Sequence, residues 1–228
     1  MARRKNMERR RVILGNTFKL IRENGLEKVS LQMIAEKSEI SKSLLQSYYP
    51  HKSKLISDIA RNLLTTLSSE VDKYDDIGHS SPYAHMKAFI YTVFILGSRD
   101  EGLDRIISQA ITSSDSLDNW GDVLLSWLKE NNIFGEYPED FHDEIATGIA
   151  FVAVGVGRLY HERKKHHLTA EDLANYAISS LMYSFCHEDH ATIQKALQDG
   201  HRIIASADMS SIHESIDKMF DPGKDIIS

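Results

Sequence analysis

The residues from 42 to 49 combine side chains that can read base edges with side chains that can join a core. The outward set is Lys42, Ser43, Gln46 and Ser47, and the expected inward set is Leu45, Tyr48 and Tyr49. A glutamine can pair with adenine, and a lysine with guanine or phosphate. The serines are small enough for close approach to a major groove about 12 Å wide. This pattern predicts a helix with a polar outer face that reads DNA.

A second group of reactive side chains follows residue 55, where ten of the eleven histidines lie. His187 and His190 have a spacing at which two ligands share one helix face, and Glu188 or Asp189 could assist them. The HExxH spacing of zinc proteases is absent from the sequence. Surface histidines are therefore the favoured interpretation, and a helical metal-dependent protein or enzyme is the alternative. No nucleophile–base pair or phosphate-binding glycine loop is found, so no catalytic residue, metal site or cofactor is assigned.

Three helices are needed to position the 42–49 segment. Leu14, Phe18 and Ile21 recur at helical spacing within residues 7–24, and Asn24-Gly25 is a typical helix stop. Two short helices should follow, separated by a turn of about three residues near Glu39-Ile40.

Helix caps and a proline set the boundaries of these elements. Ser30 and Ser41 can cap the second and third helices with their hydroxyl oxygens. Pro50 ends the third helix and allows a fourth, over residues 52–72, that is long enough to enter the next domain.

The charge of the chain is divided between its two parts. The net charge is −6, but residues 1–64 hold 14 Lys/Arg against 6 Asp/Glu, a balance of +8, which leaves −14 for the remainder. The basic run comprises Arg3, Arg4, Lys5, Arg9, Arg10 and Arg11. It is either a solvated terminus or an arm that adds phosphate or minor-groove contacts.

The remainder of the chain shows helical periodicity and no convincing strand alternation. Helices are predicted over residues 83–98, 116–131, 139–164, 169–186 and 189–207, followed by a short amphipathic piece near residues 212–220. Thr169 and Asp172 form a variant capping box. The chain lacks an apolar stretch of the roughly 20 residues needed to cross a membrane, and it has a single cysteine. We therefore expect no membrane insertion and a cytoplasmic location.

Residues 12–55 resemble the N-terminal domain of the TetR family of transcriptional repressors. The helix end ENGLEKVS and the segment LQMIAEKSEISKSLLQSYYPHKSKL follow that family's order of short helix, turn, recognition helix and proline-lysine start of the fourth helix. The sequence departs from the family at three positions. Glu39 and Ser43 replace frequent glycines, and Gln46 replaces a frequent phosphate-contacting tyrosine.

The resemblance implies roles for individual positions. Ser30 and Gln32 would open the second helix near the DNA backbone or groove, and Leu44 would lie with Lys42 and Ser43 at the start of the recognition helix. Tyr48 would brace the domain and approach phosphate, and Lys52 would contact phosphate. The predicted DNA-binding set is Ser30, Gln32, Lys42, Ser43, Leu44, Gln46, Ser47, Tyr48 and Lys52.

The resemblance also implies an all-α protein with a helix-turn-helix domain over residues 1–54 and an effector-binding and dimerisation domain over residues 55–228. Its expected partners are double-stranded DNA with a palindromic operator, a small-molecule effector and a second copy of the chain. A constitutive DNA-binding protein without an effector is a further alternative.

The C-terminal part offers candidates for the last two partners. Residues 143–186 are the expected dimer contact, because Gly148, Ala153, Gly155 and Gly157 allow close helix approach. The alternative is that the apolar helix forms the core of a monomer. Aromatic residues could line an effector pocket or simply form core. These residues are Phe89, Phe94, Trp120, Trp127 and Phe151.

Overall fold

The computed structural model describes residues 2–74, 81–112, 125–126 and 139–221, with side chains described over 7–74, 81–108, 125–126 and 143–221. Every regular element in these ranges is a helix, which confirms the all-α prediction. The first four helices are α1 (Ala2–Asn24), α2 (Leu31–Lys37), α3 (Lys42–Tyr48) and α4 (Lys52–Asp72). The others are α5 (Pro82–Arg99), α6 (Glu101–Thr112), α7 (Glu139–Glu162), α8 (Ala170–Ser184), α9 (His190–Ser206) and α10 (Met209–Met219).

The helices α1, α2 and α3 form a small unit around one apolar cluster. Phe18 of α1, Ile34 of α2 and Leu45 of α3 are almost completely buried in it. Leu55 and Ile59 extend this cluster into α4, whereas Leu64 packs against residues of α7 and α8. The fourth helix therefore passes from the small unit into the rest of the molecule, as predicted.

The helices α5, α7, α8 and α9 pack together around several apolar clusters. Phe94 of α5 stacks on Tyr160 of α7 with ring centroids 4.7 Å apart. The buried Lys87 of α5 donates to Glu171 Oε1 of α8 at 2.9 Å and to the Leu197 carbonyl of α9 at 2.8 Å. Because a buried charge without partners is costly, these contacts stabilise Lys87 where the three helices meet.

Helices α1 and α6 and the residue Gly148 differ from what the sequence predicts. Helix α1 begins at Ala2, so the basic N-terminal run continues the helix. Helix α6 was not predicted, and the helix predicted over 116–131 lies outside the described residues apart from Leu125 and Ser126. Gly148 serves packing within the chain, because a Cβ there would lie 2.7 Å from Phe185 Cγ.

The packing shows no break at the predicted boundary between residues 54 and 55. The cluster around α1 also contains Leu103 of α6 and Ile212 of α10. The division of the chain into two domains therefore stays a prediction. Among the described residues, no helix has the length and apolar character to cross a membrane.

Candidate nucleic-acid interface

Helix α3 presents one exposed polar face. Ser41 caps the helix by accepting a hydrogen bond from the Leu44 amide at 3.2 Å, as predicted. Leu45 is fully buried and the Tyr49 ring is almost so, which fixes the inner face. The exposed outer side chains are Lys42, Ser43, Gln46 and Ser47, whereas Leu44 and Tyr48 are half-buried.

Side-chain hydrogen bonds hold α2 and the turn that connects it to α3. Ser30 caps α2 by accepting from the Met33 amide at 3.2 Å, and the exposed Gln32 donates to Glu36 Oε1 at 2.8 Å. Asn16 of α1 donates to the Lys37 carbonyl at 3.1 Å and to the Ser38 hydroxyl at 3.3 Å. These bonds fasten the α2–α3 turn to α1.

The turn itself is strained at one residue. Glu39 has φ 53°, in the left-handed region that disfavours residues with a Cβ atom. Glycine adopts this region without a steric penalty, so a glycine would fit the backbone at position 39 better than the glutamate does.

The basic N-terminal half of α1 reaches the end of α3. Arg9 Nη1 lies 3.5 Å from the Tyr48 hydroxyl, and the Arg10 guanidinium carbon lies 5.8 Å from the centre of the Tyr49 ring. Both arginines are exposed, so their charges add to the surface beside α3. The sequence interpretation missed this contact, which the clustering of Arg9–Arg11 on a helical continuation of residues 7–24 could have suggested.

Lys52 has a structural partner as well as its predicted role. Its Nζ donates to the Leu26 carbonyl at 2.5 Å, which ties the start of α4 to the loop between α1 and α2. Burial lowers the pKa of this lysine, against the opposing effect of nearby Glu27. The phosphate contact of Lys52 therefore stays a prediction.

We compared the chain with known proteins. No family model matches it. The nucleoid occlusion factor SlmA of Haemophilus ducreyi is 28% identical over 86 residues, a match that covers 38% of this chain and only 42% of the length of SlmA. RolR, a TetR-family regulator, has been solved in complex with resorcinol. Its structure aligns with 95% of this chain and 96% of the RolR chain, with a TM-score of 0.55 and 12% sequence identity. The chain has the TetR fold. FadR of Thermus thermophilus, a TetR-family repressor solved with lauroyl-CoA, covers 76% of this chain and 91% of its own at 19% identity, with a TM-score of 0.48.

In this TetR fold, the three aromatic candidates that the structure describes, Phe89, Phe94 and Phe151, do not lie together in one cluster. Phe94 is buried against Tyr160, and Phe89 is half-buried between two other clusters. Phe151 is 66% exposed on α7, so it does not line a closed cavity within one chain. Trp120 and Trp127 lie outside the described residues. The effector site stays a prediction.

The histidine pair does not share a helix face. His187 lies in the connection between α8 and α9 with φ 53°, whereas His190 is the first residue of α9. Over the described ranges, no three His, Cys, Asp or Glu side chains are grouped as a metal would require. The metal-dependent alternative gains no support from this part of the chain.

Proposed function

We propose that this protein is a homodimeric, TetR-like transcriptional regulator, and more specifically a repressor that a small-molecule effector releases from a palindromic operator. The observation that carries the proposal is the exposed polar face of α3. Lys42 and Gln46 are exposed to solvent while Leu45 of the same helix is buried, and residues 1–64 have a net charge of +8. A helix of this kind fits the major groove and offers donors and acceptors to base edges.

Recognition would combine base contacts with phosphate contacts. Gln46 and Lys42 are the proposed base-reading residues, and Ser43 and Ser47 leave room for the groove. Arg9 and Lys52 are proposed to neutralise phosphates, and each such contact steepens the fall of affinity with salt by about one unit in a log–log plot.

The proposed dimer forms through α7 and α8. Four large apolar side chains are exposed on these helices: Phe151, Val154, Tyr176 and Tyr183. Among the described residues, no atom outside the neighbouring part of α7 lies within 4 Å of a Cβ built on Gly155, which leaves space for a partner helix. An exposed apolar face of this kind typically marks an interface. Two α3 helices held in this way would enter successive major grooves about 34–36 Å apart.

The effector is proposed to act by linkage. A molecule that favours a conformation with wrongly spaced reading helices would lower DNA affinity, and DNA would lower affinity for the molecule by the same factor. A coupling of about 1–3 kcal/mol corresponds to roughly 5- to 150-fold. Since RolR was solved with resorcinol, phenols are a starting set for a thermal-shift screen, together with lipophilic cations chosen for the acidic charge of residues 65–228. A stabilising molecule that also releases DNA would support the regulator over a constitutive DNA-binding protein.

Fluorescence anisotropy with the protein's own upstream DNA tests the reading face. The full chain should bind this DNA saturably, and Lys42→Ala should weaken binding at least about fivefold. Lys195→Ala removes the same charge from an exposed position on α9 and should change affinity less than about twofold. Equal affinities for the two variants would reject α3 as the reading helix.

A further inference from the structure

Helix α10 lies against the unit formed by α1, α2 and α3. Phe220, directly after α10, stacks on Phe18 of α1 with ring centroids 3.9 Å apart, and both rings are buried. Ile212 and Ile216 are buried in the same apolar cluster as the core of α1. The last described helix is thus part of the core that holds the proposed reading unit.

A polar network surrounds this apolar contact. Arg22, near the end of α1, donates through Nη1 to Asp217 Oδ1 of α10 at 2.6 Å and through Nη2 to Asp100. Asp100 accepts from the Leu103 amide at 2.9 Å, at the start of α6, and lies 3.2 Å from His213 Nε2 of α10. One arginine therefore joins α1 to α10 and to the α5–α6 junction.

The position of α1 also determines the position of α3. Asn16 bonds the α2–α3 turn to α1, and the apolar cluster packs α3 on the same helix. Any rotation of α1 against α10 would therefore carry the exposed face of α3 with it. Arg22 and Asp217 are 195 residues apart, so their bond joins two distant parts of the chain.

We propose that α10 is a clamp that fixes the orientation of α1 and α3, with Arg22 and Asp217 as positioning residues for DNA recognition. The proposal rests on the proposed DNA-binding function. A dimer must engage two half-sites at once, and a reading unit that is already oriented avoids the entropic cost of ordering it on DNA. With this clamp in place, we expect the DNA affinity of the dimer to depend on the spacing between the half-sites.

The test variant is Asp217→Asn, because this side chain is half-exposed and its change leaves the apolar contacts of α10 in place. Hydrogen exchange without DNA should become faster in residues 9–49. Affinity for the upstream DNA should fall roughly 2- to 5-fold, the effect of losing one partly exposed ion pair. The affinity penalty for one extra base pair between the half-sites should shrink, an effect that a simple loss of stability would not produce.

Two further variants complete the test. Asp143→Asn makes the same change at an exposed position on α7, and it should match the wild type in all three measurements. Asp217→Glu keeps the charge, so its affinity penalty for the extra base pair should be close to that of the wild type. If the wild type binds DNA and Asp217→Asn behaves as Asp143→Asn does, the clamp is wrong. If the wild type binds no upstream DNA, the proposed function fails, and the exchange measurement alone still decides whether Asp217 holds α1.

Discussion

Glu39 occupies a conformation that costs free energy. A non-glycine residue in the left-handed region is unfavourable by about 1–2 kcal/mol. Replacing it with glycine removes this cost, but glycine loses more conformational entropy on folding, which offsets part of the stabilisation. We predict that Glu39→Gly stabilises the protein by about 0.5–1 kcal/mol in urea unfolding. Glu39→Ala keeps a Cβ atom and should bring no such gain. A gain from alanine equal to that from glycine would show that the carboxylate, and not the backbone, is the source of strain.

The carboxyl group of Asp100 makes the free energy of unfolding depend on pH. Burial alone would raise its pKa, but hydrogen bonds from Arg22 and the Leu103 amide outweigh burial and lower the pKa to about 2. Because the pKa is lower in the folded state than the 3.8 of the free side chain, this stabilisation is complete above about pH 4 and is lost as the pH falls towards 2.

We therefore predict that Asp100→Asn costs roughly 1–2 kcal/mol at pH 7 and much less near pH 2, measured by urea unfolding at both values. Asparagine can still accept the Leu103 amide, so the variant isolates the charge. Asp143→Asn, at an exposed carboxyl of α7, is the control and should show little change. A cost for Asp100→Asn that stays constant between pH 7 and pH 2 would contradict the assignment.

Helices α7 and α8 meet closely at Gly148. A methyl group there would lie 2.7 Å from Phe185 Cγ and 2.8 Å from Leu181 Cδ1, so one of these side chains must move. We predict that Gly148→Ala destabilises the chain by about 1–3 kcal/mol in urea unfolding. Thr147→Ala, at the exposed residue directly before Gly148, should change the free energy of unfolding by less than about 0.5 kcal/mol. Equal stability of both variants would mean that the two helices are not in contact at this point.

Local signals predicted most of the elements. Ser30, Ser41 and Thr169 were each expected to cap a helix, and each does so, because a capping hydroxyl needs only the amide three residues later. Helix α6 carried the same type of signal, since Asp100 precedes an apolar stripe at 103, 106 and 107, but it was not recognised.

Long-range contacts could not be predicted in this way. The bonds from Arg22 to Asp217 and from Lys52 to the Leu26 carbonyl join residues that no periodicity relates. The exposed residues of α3 followed from helix spacing and one buried leucine. The contact between Arg9 and Tyr48 depends instead on where α1 lies in the folded chain.

The molecule is expected to work as a dimer. Val154 is 56% exposed in the middle of the apolar face of α7, and an arginine there would place a charge in the proposed interface. We predict that the wild type sediments as a dimer and Val154→Arg as a folded monomer in analytical ultracentrifugation. Gln194→Arg, at an exposed position on α9, is the matched control and should remain dimeric. A dimeric Val154→Arg would move the interface away from α7.

The most direct measurement is a hydroxyl-radical footprint of the full chain on its own upstream DNA. A dimer that reads DNA with two α3 helices should protect two half-sites related by two-fold symmetry, with centres one helical turn or about 10–10.5 base pairs apart, or a multiple of that. Lys42→Ala should weaken both protected regions together. The absence of protection, or one asymmetric protected region that Lys42→Ala leaves unchanged, would contradict the assignment of α3 as the reading helix.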